Sequence, residues 1–287
     1  VFKTFINTFK RVDQYMLGLN ERNIKYIYPK NARENYKYAD DKIVTKQVLE
    51  SHQLACPKTY ATISKVGEIE STWSDMKINK SMVIKPSMGR GGDGIKLIHQ
   101  KKGSWILGKK TISEEHIFTH IANILFGMFS YGKNDRALIE ELIVPHPFLT
   151  EIYPDGVADI RIIVDDNQPA MAMLRVPTNK SEGKANLHQG GLGVGIEIDT
   201  GKLTHIFDGS DFLMAHPDNK QPITDLILPH WHEILELSIK VSEVFPLNFM
   251  GIDIVIDQKK GPMVLEINIR PGLSIQMANR TGLKQVI

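Results

Sequence analysis

Apolar residues recur along this chain in two periods, and the switches between them divide it into helices and strands. Phe2, Phe5, Ile6, Phe9, Val12 and Met16 fall at near-helical spacing, with Lys3, Lys10, Arg11 and Asp13 mostly off that stripe. This predicts an amphipathic helix over residues 1–20, whose mildly basic character favours docking on the body of the protein over anchoring at a membrane surface. Pro29 to Tyr38 reads as an irregular polar connector. A second helix is predicted from Asp41 to Gln53, with Asp40 as its N-cap and Ile43, Val44, Val48 and Leu49 as its buried stripe. Strand patterns follow at 58–63, 81–85 and 95–98. A long helix over 113–129 is expected to bury Ile117, Ile121, Ile124, Leu125 and Met128. A strand is predicted at 137–144, then a β-pair of 159–164 with 170–176 around Asp165-Asp166-Asn167. Residues 178–195 form a polar, glycine-rich stretch of the size that functional loops commonly have. A helix over 229–245 leads into two last strands. No internal repeat is present, and the order of elements is mixed α+β.

The last two strands carry the most informative pattern. Phe249-Met250-Gly251-Ile252-Asp253-Ile254-Val255-Ile256 and Pro262-Met263-Val264-Leu265-Glu266-Ile267-Asn268 are rich in aliphatic residues, and Asp257 to Gly261 supplies turn chemistry between them. Period-two alternation places Gly251, Asp253 and Val255 on one face of the first arm, and Val264, Glu266 and Asn268 on one face of the second. If the turn closes with Asp257 opposite Pro262, Asp253 lies across from Glu266. Two carboxylates about 5 Å apart repel by roughly 3 kcal/mol at an effective dielectric near 20, more than strand pairing returns. A positive group is therefore expected between them. Two acids and an amide oxygen, with no His or Cys beside them, suit Mg²⁺ or Mn²⁺. A solvated hairpin face with Lys259 and Lys260 as counter-charge is the other reading of the same residues.

Composition narrows the class. The chain has 287 residues, 42% hydrophobic and 24% charged, which is ordinary globular material with room for one large core or two lobes. Lys and Arg number 35 against 33 acids, and this balance gives no whole-chain case for nucleic acid or acidic lipid. Cys56 is the single cysteine, so there is no internal disulfide and no cysteine-based zinc site. No apolar run approaches the ~18 residues of a membrane span. A cytoplasmic location is expected.

Gly89-x-Gly91-x-x-Gly94 matches the dinucleotide fingerprint in form, but Ile95-Lys96-Leu97-Ile98 continues as strand where that motif opens a helix. A Walker-type loop would close on Gly-Lys-Ser/Thr, whereas this one closes on Gly94-Ile95-Lys96. Protein-kinase catalytic and metal motifs are absent. Two readings remain: a flexible glycine hairpin whose backbone N–H groups fold over phosphates beside Lys85, and an ordinary glycine-rich turn.

Asp41-Lys42 at the opening of a helix, Val83-Ile84-Lys85-Pro86 before the glycine hairpin, Leu138-Ile139-Glu140-Glu141-Leu142-Ile143, and the Asp253, Glu266, Asn268 hairpin occur in this order. Together they resemble the ATP-grasp superfamily over about residues 40–280. Asp159-Ile160-Arg161, Asn186-Leu187-His188-Gln189-Gly190-Gly191 and Asn268-x-x-Pro271-Gly272-Leu273 are similar to motifs of its ribosomal-protein glutamate ligase (RimK-like) branch. The resemblance implies an α+β ATP-grasp fold, with two α/β lobes of antiparallel sheet clasping ATP. It divides the chain into a helical arm and connector over 1–40, an N-lobe with the glycine flap over 41–139, and a C-lobe with hinge and metal hairpin over 140–287.

It also implies roles. Lys42 and Lys85 would take the α- and β-phosphates, and Met88, Gly89, Arg90, Gly91, Gly92, Gly94 and Ile95 would form the flap. Glu140, Glu141, Leu142 and Ile143 would be the hinge strand against adenine. Asp253 would hold one Mg²⁺, Glu266 would bridge two, and Asn268 would complete the second, with Mn²⁺ as a substitute. Arg161, Arg175 and Arg270 would face the transferring phosphate or a substrate carboxylate. Glu151 or Asp155 would take the ribose, and residues 178–195 with Ser274 and Gln276 would shape the acceptor pocket.

The activity so implied is ATP-dependent joining of a carboxylate to an amine, an amino acid such as glutamate or a peptide, through an acyl phosphate. Phosphorylation of an alcohol and nucleotide binding without catalysis are the alternatives. Each residue also has a structural reading: Lys42 as a solvated helix lysine, Lys85 at a strand edge, Glu140 and Glu141 as surface charges, Arg161 and Arg175 as partners of Asp159 and nearby acids. His188 reads as a hydrogen-bonding loop residue. His116 and His120 sit i, i+4 but lack a third zinc ligand, which makes them a polar helix face. Only 40 residues precede the helix at Asp41, where the branch carries a further domain.

Overall fold

The computed structural model describes residues 14–89 and 91–287. Most of the helix expected over 1–20, and the flap candidate Arg90, lie outside the described residues. The chain divides into two compact units, one of residues 40–50 with 56–143 and one of the remainder.

In the first unit, helix α1 (Lys42–Ser51) precedes strand β1 (Thr59–Ile63), helix α2 (Ile69–Met76), strands β2 (Ser81–Pro86), β3 (Lys96–Lys101), β4 (Ser104–Leu107) and β5 (Lys110–Ile112), helix α3 (Glu114–Leu125) and strand β6 (Ala137–Glu141). The strands form one antiparallel sheet in the order β1-β6-β2-β3-β4-β5. Met82, Ile84, Ile98, Ala137 and Ile139 point to one face and pack with Trp73 of α2 and Ile117, Ile121 and Ile124 of α3. Each such fully buried large side chain contributes about 1.5–3 kcal/mol. Alternation then sends Lys85, Leu138 and Glu140 to the opposite face.

Two helix expectations need correction. The cap of α1 is Asp41, whose Oδ1 accepts from Ile43 N at 3.0 Å, and the buried positions are Lys42, Ile43, Thr45, Lys46 and Leu49, with Val44 and Val48 only half-buried. α3 stops at Leu125 because Gly127 turns back at φ +76° against the carbonyl of Lys133, which leaves Met128 65% exposed.

The second unit holds strands β7 (Asp159–Asp165), β8 (Gln168–Val176), β9 (Leu192–Ile196), β10 (Leu203–Phe207), β11 (Phe212–Leu213), β12 (Phe249–Asp257) and β13 (Gly261–Asn268). Their order is β11-β10-β9-β8-β7-β12-β13, again antiparallel throughout. Helix α4 (Pro147–Ile152) occupies the segment that carries Glu151. Helix α5 (Trp231–Val244) packs against β7, β8, β12 and β13, and helix α6 (Ile275–Asn279) against β8, β9 and β10. The glycine-rich stretch after Thr178 ends in a 3₁₀ turn, Leu187–Gln189, and then β9.

The connector expected to be irregular at Pro29 to Tyr38 is mostly helical, as is the chain just before it. α-Helical turns at Leu19–Glu21 and Tyr28–Lys30 flank a π-helical stretch, Arg22–Ile27, followed by a 3₁₀ turn, Arg33–Tyr36. Side chains fasten this arm to the sheet: Asn31 Nδ2 donates to Phe249 O at 2.6 Å and Phe249 N to Asn31 Oδ1 at 3.1 Å, while Arg22 Nη1 donates to Pro271 O at 2.7 Å.

Candidate functional site

The first constellation lies in the unit of residues 40–50 and 56–143, on the sheet face away from its core. Glu140 is 3% exposed and carries an ammonium group at each oxygen. Lys85 Nζ pairs with Oε1, and Lys46 Nζ lies 3.2 Å from Oε2, at ion-pair distance but without hydrogen-bond alignment. Lys46 also donates to the carbonyl of Pro57. Lys42, one turn earlier on α1, donates from Nζ to the carbonyl of Gly89 at 2.6 Å. Asp41 accepts from Ser87 and pairs with Arg136, and Met88 N donates to Asp135 Oδ1 at 3.1 Å, so the strand-to-loop corner is fixed from several sides. The surface readings of Lys42, Lys85 and Glu140 are thereby overturned: all three are buried.

The glycine loop is held at its far end as well. His120 Nε2 lies 2.9 Å from Gly94 O, and since a carbonyl only accepts, Nε2 carries the proton. Gly94 has φ +76° and sits against the ring of Phe129, where a Cβ would come within 2.5 Å. No larger residue fits that backbone and that contact. Gly91 and Gly92 are left-handed too. Glu141 closes β6, and Leu142 and Ile143 follow it half-buried. Nearby, burial pushes the Cys56 thiol up, with Lys46 acting in the opposite sense.

The second constellation lies in the other unit and is a ladder of charges across four strands. Glu266 on β13, Asp253 on β12 and Arg161 on β7 are direct cross-strand neighbours, and Asp159 on β7 faces Arg175 on β8. Near the turn the hairpin closes with Asp257 opposite Gly261, one residue away from the expected register, and an unbroken ladder would have set Leu265 across from Asp253. A bulge between Asp253 and Ile254 takes up Leu265 and restores the Asp253–Glu266 pair. Since a one-residue slip moves every side chain to the other face, the bulge puts both acids on one face.

Asp253 is 3% exposed. Its Oδ1 accepts from Arg161 Nε at 2.8 Å, and its Oδ2 from Arg161 Nη2 at 2.7 Å, Arg175 Nη2 at 2.7 Å and Asn268 Nδ2 at 3.1 Å. Burial alone would raise this carboxyl, but Arg161 and Arg175 hold it down at about 2. Asp159 binds Arg175 through both oxygens, at Oδ2 with Nη2 2.6 Å away, yet burial and the neighbouring Asp253 push it up to about 6. Arg175 is correspondingly held charged by both acids. The positive groups beside Asp253 are thus guanidiniums from the β7 and β8 side, Arg175 lying between Asp159 and Asp253 and not between Asp253 and Glu266. Of the acids open to them, Arg175 pairs with Asp159 and Asp253, and Arg161 with Asp253.

The residues present fit a hard divalent ion in their chemistry. The Glu266 carboxylate and the Oδ1 of Asn268 are oxygen donors on the Asp253 face, with Asn268 Nδ2 already turned to Asp253. Among the described residues no group of three or more His, Cys, Asp or Glu is placed to hold a metal, which leaves this mixed acid and amide set. A methyl group placed on Gly272 would lie 3.9 Å from Arg161 Nη1 and 4.0 Å from both His188 Nε2 and Ser274 Oγ, so these three polar groups converge on Gly272.

Arg270 is exposed and stacks over Tyr36, with Cζ 5.1 Å from the ring centroid. Gln276 is consumed structurally, its amide binding Leu17 N at 2.8 Å, Leu17 O at 3.1 Å and Leu283 N at 2.8 Å. Lys46 and His120 are the site neighbours that sequence reasoning missed. The i, i+4 spacing of Lys42 and Lys46 on one helix face would have found the first; His120, read with His116 as a polar helix face, is instead buried against a partner 26 residues away.

Comparison with known proteins adds the following. The sequence profile of the sugar-transfer associated ATP-grasp family matches residues 21–287. The alpha-aminoadipate–LysW ligase LysX of Saccharolobus solfataricus is 22% identical over 229 residues, which cover 80% of this chain and 61% of the relative. The D-alanyl-alanine synthetase A of Vibrio cholerae superposes with a TM-score of 0.50 at 10% identity, covering 84% of this chain and 57% of that one, and shows the fold. A RiPP-associated ATP-grasp ligase of Chryseobacterium gregarium, solved with ADP and a leader and core peptide, gives 0.48 at 12% identity over 90% and 60%. The chain therefore spans about three-fifths of the length of these relatives. Among the described residues no helix is long and apolar enough to cross a membrane.

Proposed function

This chain belongs to the sugar-transfer associated ATP-grasp family, and on that premise we propose that it is an ATP- and Mg²⁺-dependent ligase joining a carboxylate to an amine. The observation that carries the reading is the cross-strand ladder Glu266–Asp253–Arg161 with Asn268 beside it. It concentrates acids for a divalent ion and guanidiniums for phosphate oxygens on one sheet face.

In the proposed reaction a substrate carboxylate oxygen attacks the γ-phosphorus, and the bond from that phosphorus to the bridging oxygen of ADP breaks. The amine nitrogen then attacks the acyl carbon, phosphate leaves with the former carboxylate oxygen, and the nitrogen loses a proton. Lys42 and Lys85 neutralise the α- and β-phosphates, and the backbone of residues 88–95 covers them. Glu140 to Ile143 face adenine. Glu266, Asn268 and Asp253 would hold Mg²⁺, which when bound screens the phosphate charge. Arg161 and Arg175 offer donors to the transferring group, and in-line transfer needs little beyond such positioning. Arg161, His188 and Ser274, which converge on Gly272, suit the carboxylate of an amino acid, glutamate among them.

The test is ADP release from Mg²⁺-ATP with pooled amino acids and short peptides. Release that requires both an acid and an amine is expected, and Glu266→Ala should abolish it while leaving the circular dichroism spectrum unchanged. ADP formed without any amine, with a phosphorylated alcohol accumulating, would replace the ligase with a kinase. Full activity in Glu266→Ala would remove the metal assignment.

A further inference from the structure

Asp253 accepts four hydrogen bonds, three of them on Oδ2, and three of the four come from guanidinium groups. The side chains concerned are shielded: 4% of Asp253, 13% of Arg161 and 10% of Arg175 is exposed, so water screens them little. Arg175 is tied from behind through Nε and Nη2 to Asp159, and Arg161 grips Asp253 through two of its nitrogens. A carboxylate offers about two acceptor positions per oxygen, so with three donors on Oδ2 and one on Oδ1 an ion is left at most one position on Asp253, at Oδ1. Like charge adds to the conflict, because a dication beside two guanidiniums in a shielded site is strongly repelled.

The network also contains what would resolve the conflict. Three carboxylates, Asp159, Asp253 and Glu266, line up with two guanidiniums, Arg161 and Arg175, across neighbouring strands. A polyanion that accepts hydrogen bonds from the arginines frees oxygens of Asp253 and lowers the repulsion on an incoming cation in one step. Arg161 has the freer path, since Asp253 is its carboxylate partner whereas Arg175 is also tied to Asp159.

We propose that Arg161 and Arg175 stand in for the divalent ion at Asp253 in the nucleotide-free protein, and that a triphosphate admits the ion by drawing these guanidiniums onto its own oxygens. The inference rests on the reading of Asp253 and Glu266 as metal-binding groups. It makes metal binding conditional on nucleotide, so that the ion enters with the triphosphate or after it.

Mn²⁺ is the probe, followed by the paramagnetic resonance signal of the free ion and by calorimetry, with and without the non-hydrolysable ATP analogue AMPPNP. Wild-type protein without nucleotide should bind Mn²⁺ weakly. Arg161→Met should bind it at least about tenfold more tightly without nucleotide, a gain of roughly 1.4 kcal/mol. Adding Glu266→Gln to that variant should abolish the gain. Asp159→Asn/Arg175→Met, which removes one acid and one base together, is the second route to the same gain should Arg161→Met fail to fold. Equal nucleotide-free Mn²⁺ affinity in wild type and both variants, with AMPPNP still bound, overturns the exchange and leaves the ligase reading standing. Failure of AMPPNP to bind either with or without Mn²⁺ overturns the ligase reading, and with it the role given to the triphosphate.

Discussion

His120 shows how one buried side chain ties a loop to a pH response. Its imidazole is 4% exposed, and burial, helped by Lys96 and His116, pushes its pKa down to about 4. The unfolded chain takes the proton near pH 6.5, so between that value and about 4 the unfolded state binds more protons and folded stability falls with pH. At 1.36 kcal/mol per unit the whole loss is at most about 3 kcal/mol, and partial solvation reduces it. His120→Gln keeps a donor for Gly94 O and cannot titrate. It should therefore lose about 2 kcal/mol less than wild type between pH 7 and 4.5 in urea melts; parallel pH dependence would refute the assignment. Glu140 poses a different problem, a carboxyl at 3% exposure with an ammonium group beside each oxygen. Such a buried cluster is retained more for the geometry it fixes than for net stability.

Elements impose their own requirements on these residues. Helix α1 turns a lysine stripe, Lys42 and Lys46, toward the sheet face of Lys85 and Glu140 where an apolar stripe was expected. The β12–β13 hairpin needs the bulge at Leu265 to bring Glu266 onto the face of Asp253. The start of β12 is set by Asn31, whose amide satisfies both the N–H and the C=O of Phe249 in a buried position. Asn31→Ala would leave both groups without that partner, and each orphaned buried group costs about 1–3 kcal/mol. A loss of about 3 kcal/mol is expected by chemical denaturation, with the arm at 14–39 losing hydrogen-exchange protection first. A change under 1 kcal/mol would show that the arm is not what holds β12.

At the scale of the whole molecule, one unit is assembled from three separated pieces of chain and the other is inserted between them. The ends of the described chain are knit together inside the first of these: Gln276 bridges Leu17 and Leu283, and Gly282 leaves no room for a Cβ beside Tyr15. A ligand that binds only the folded protein stabilises it by mass action. Mg²⁺-ATP at about a hundred times its Kd should add about 2.7 kcal/mol, a rise of several degrees in melting temperature. Glu266→Ala should keep the part of that rise seen with ATP in EDTA and lose the part that Mg²⁺ adds. An unchanged Mg²⁺ increment would separate Glu266 from metal binding.

The sequence by itself determined the strands and helices with a strong period, the hairpin with its two acids, the glycine loop and the family, because these depend on local alternation and on side-chain types at short spacing. It did not determine which cations meet which acids. Sequence assigns Arg161 and Arg175 jointly to Asp159 and nearby acids; alternation across β7 and β12 gives Arg161 Asp253, 92 residues on. Spacing alone names no partner for Lys46, His120 or Asn31, since their partners are strands and loops brought near only by folding. Burial decided the rest: only the packed structure removes water from Lys42, Lys85, Glu140 and Asp253, and without water each charge must find an opposite charge or a hydrogen-bond partner.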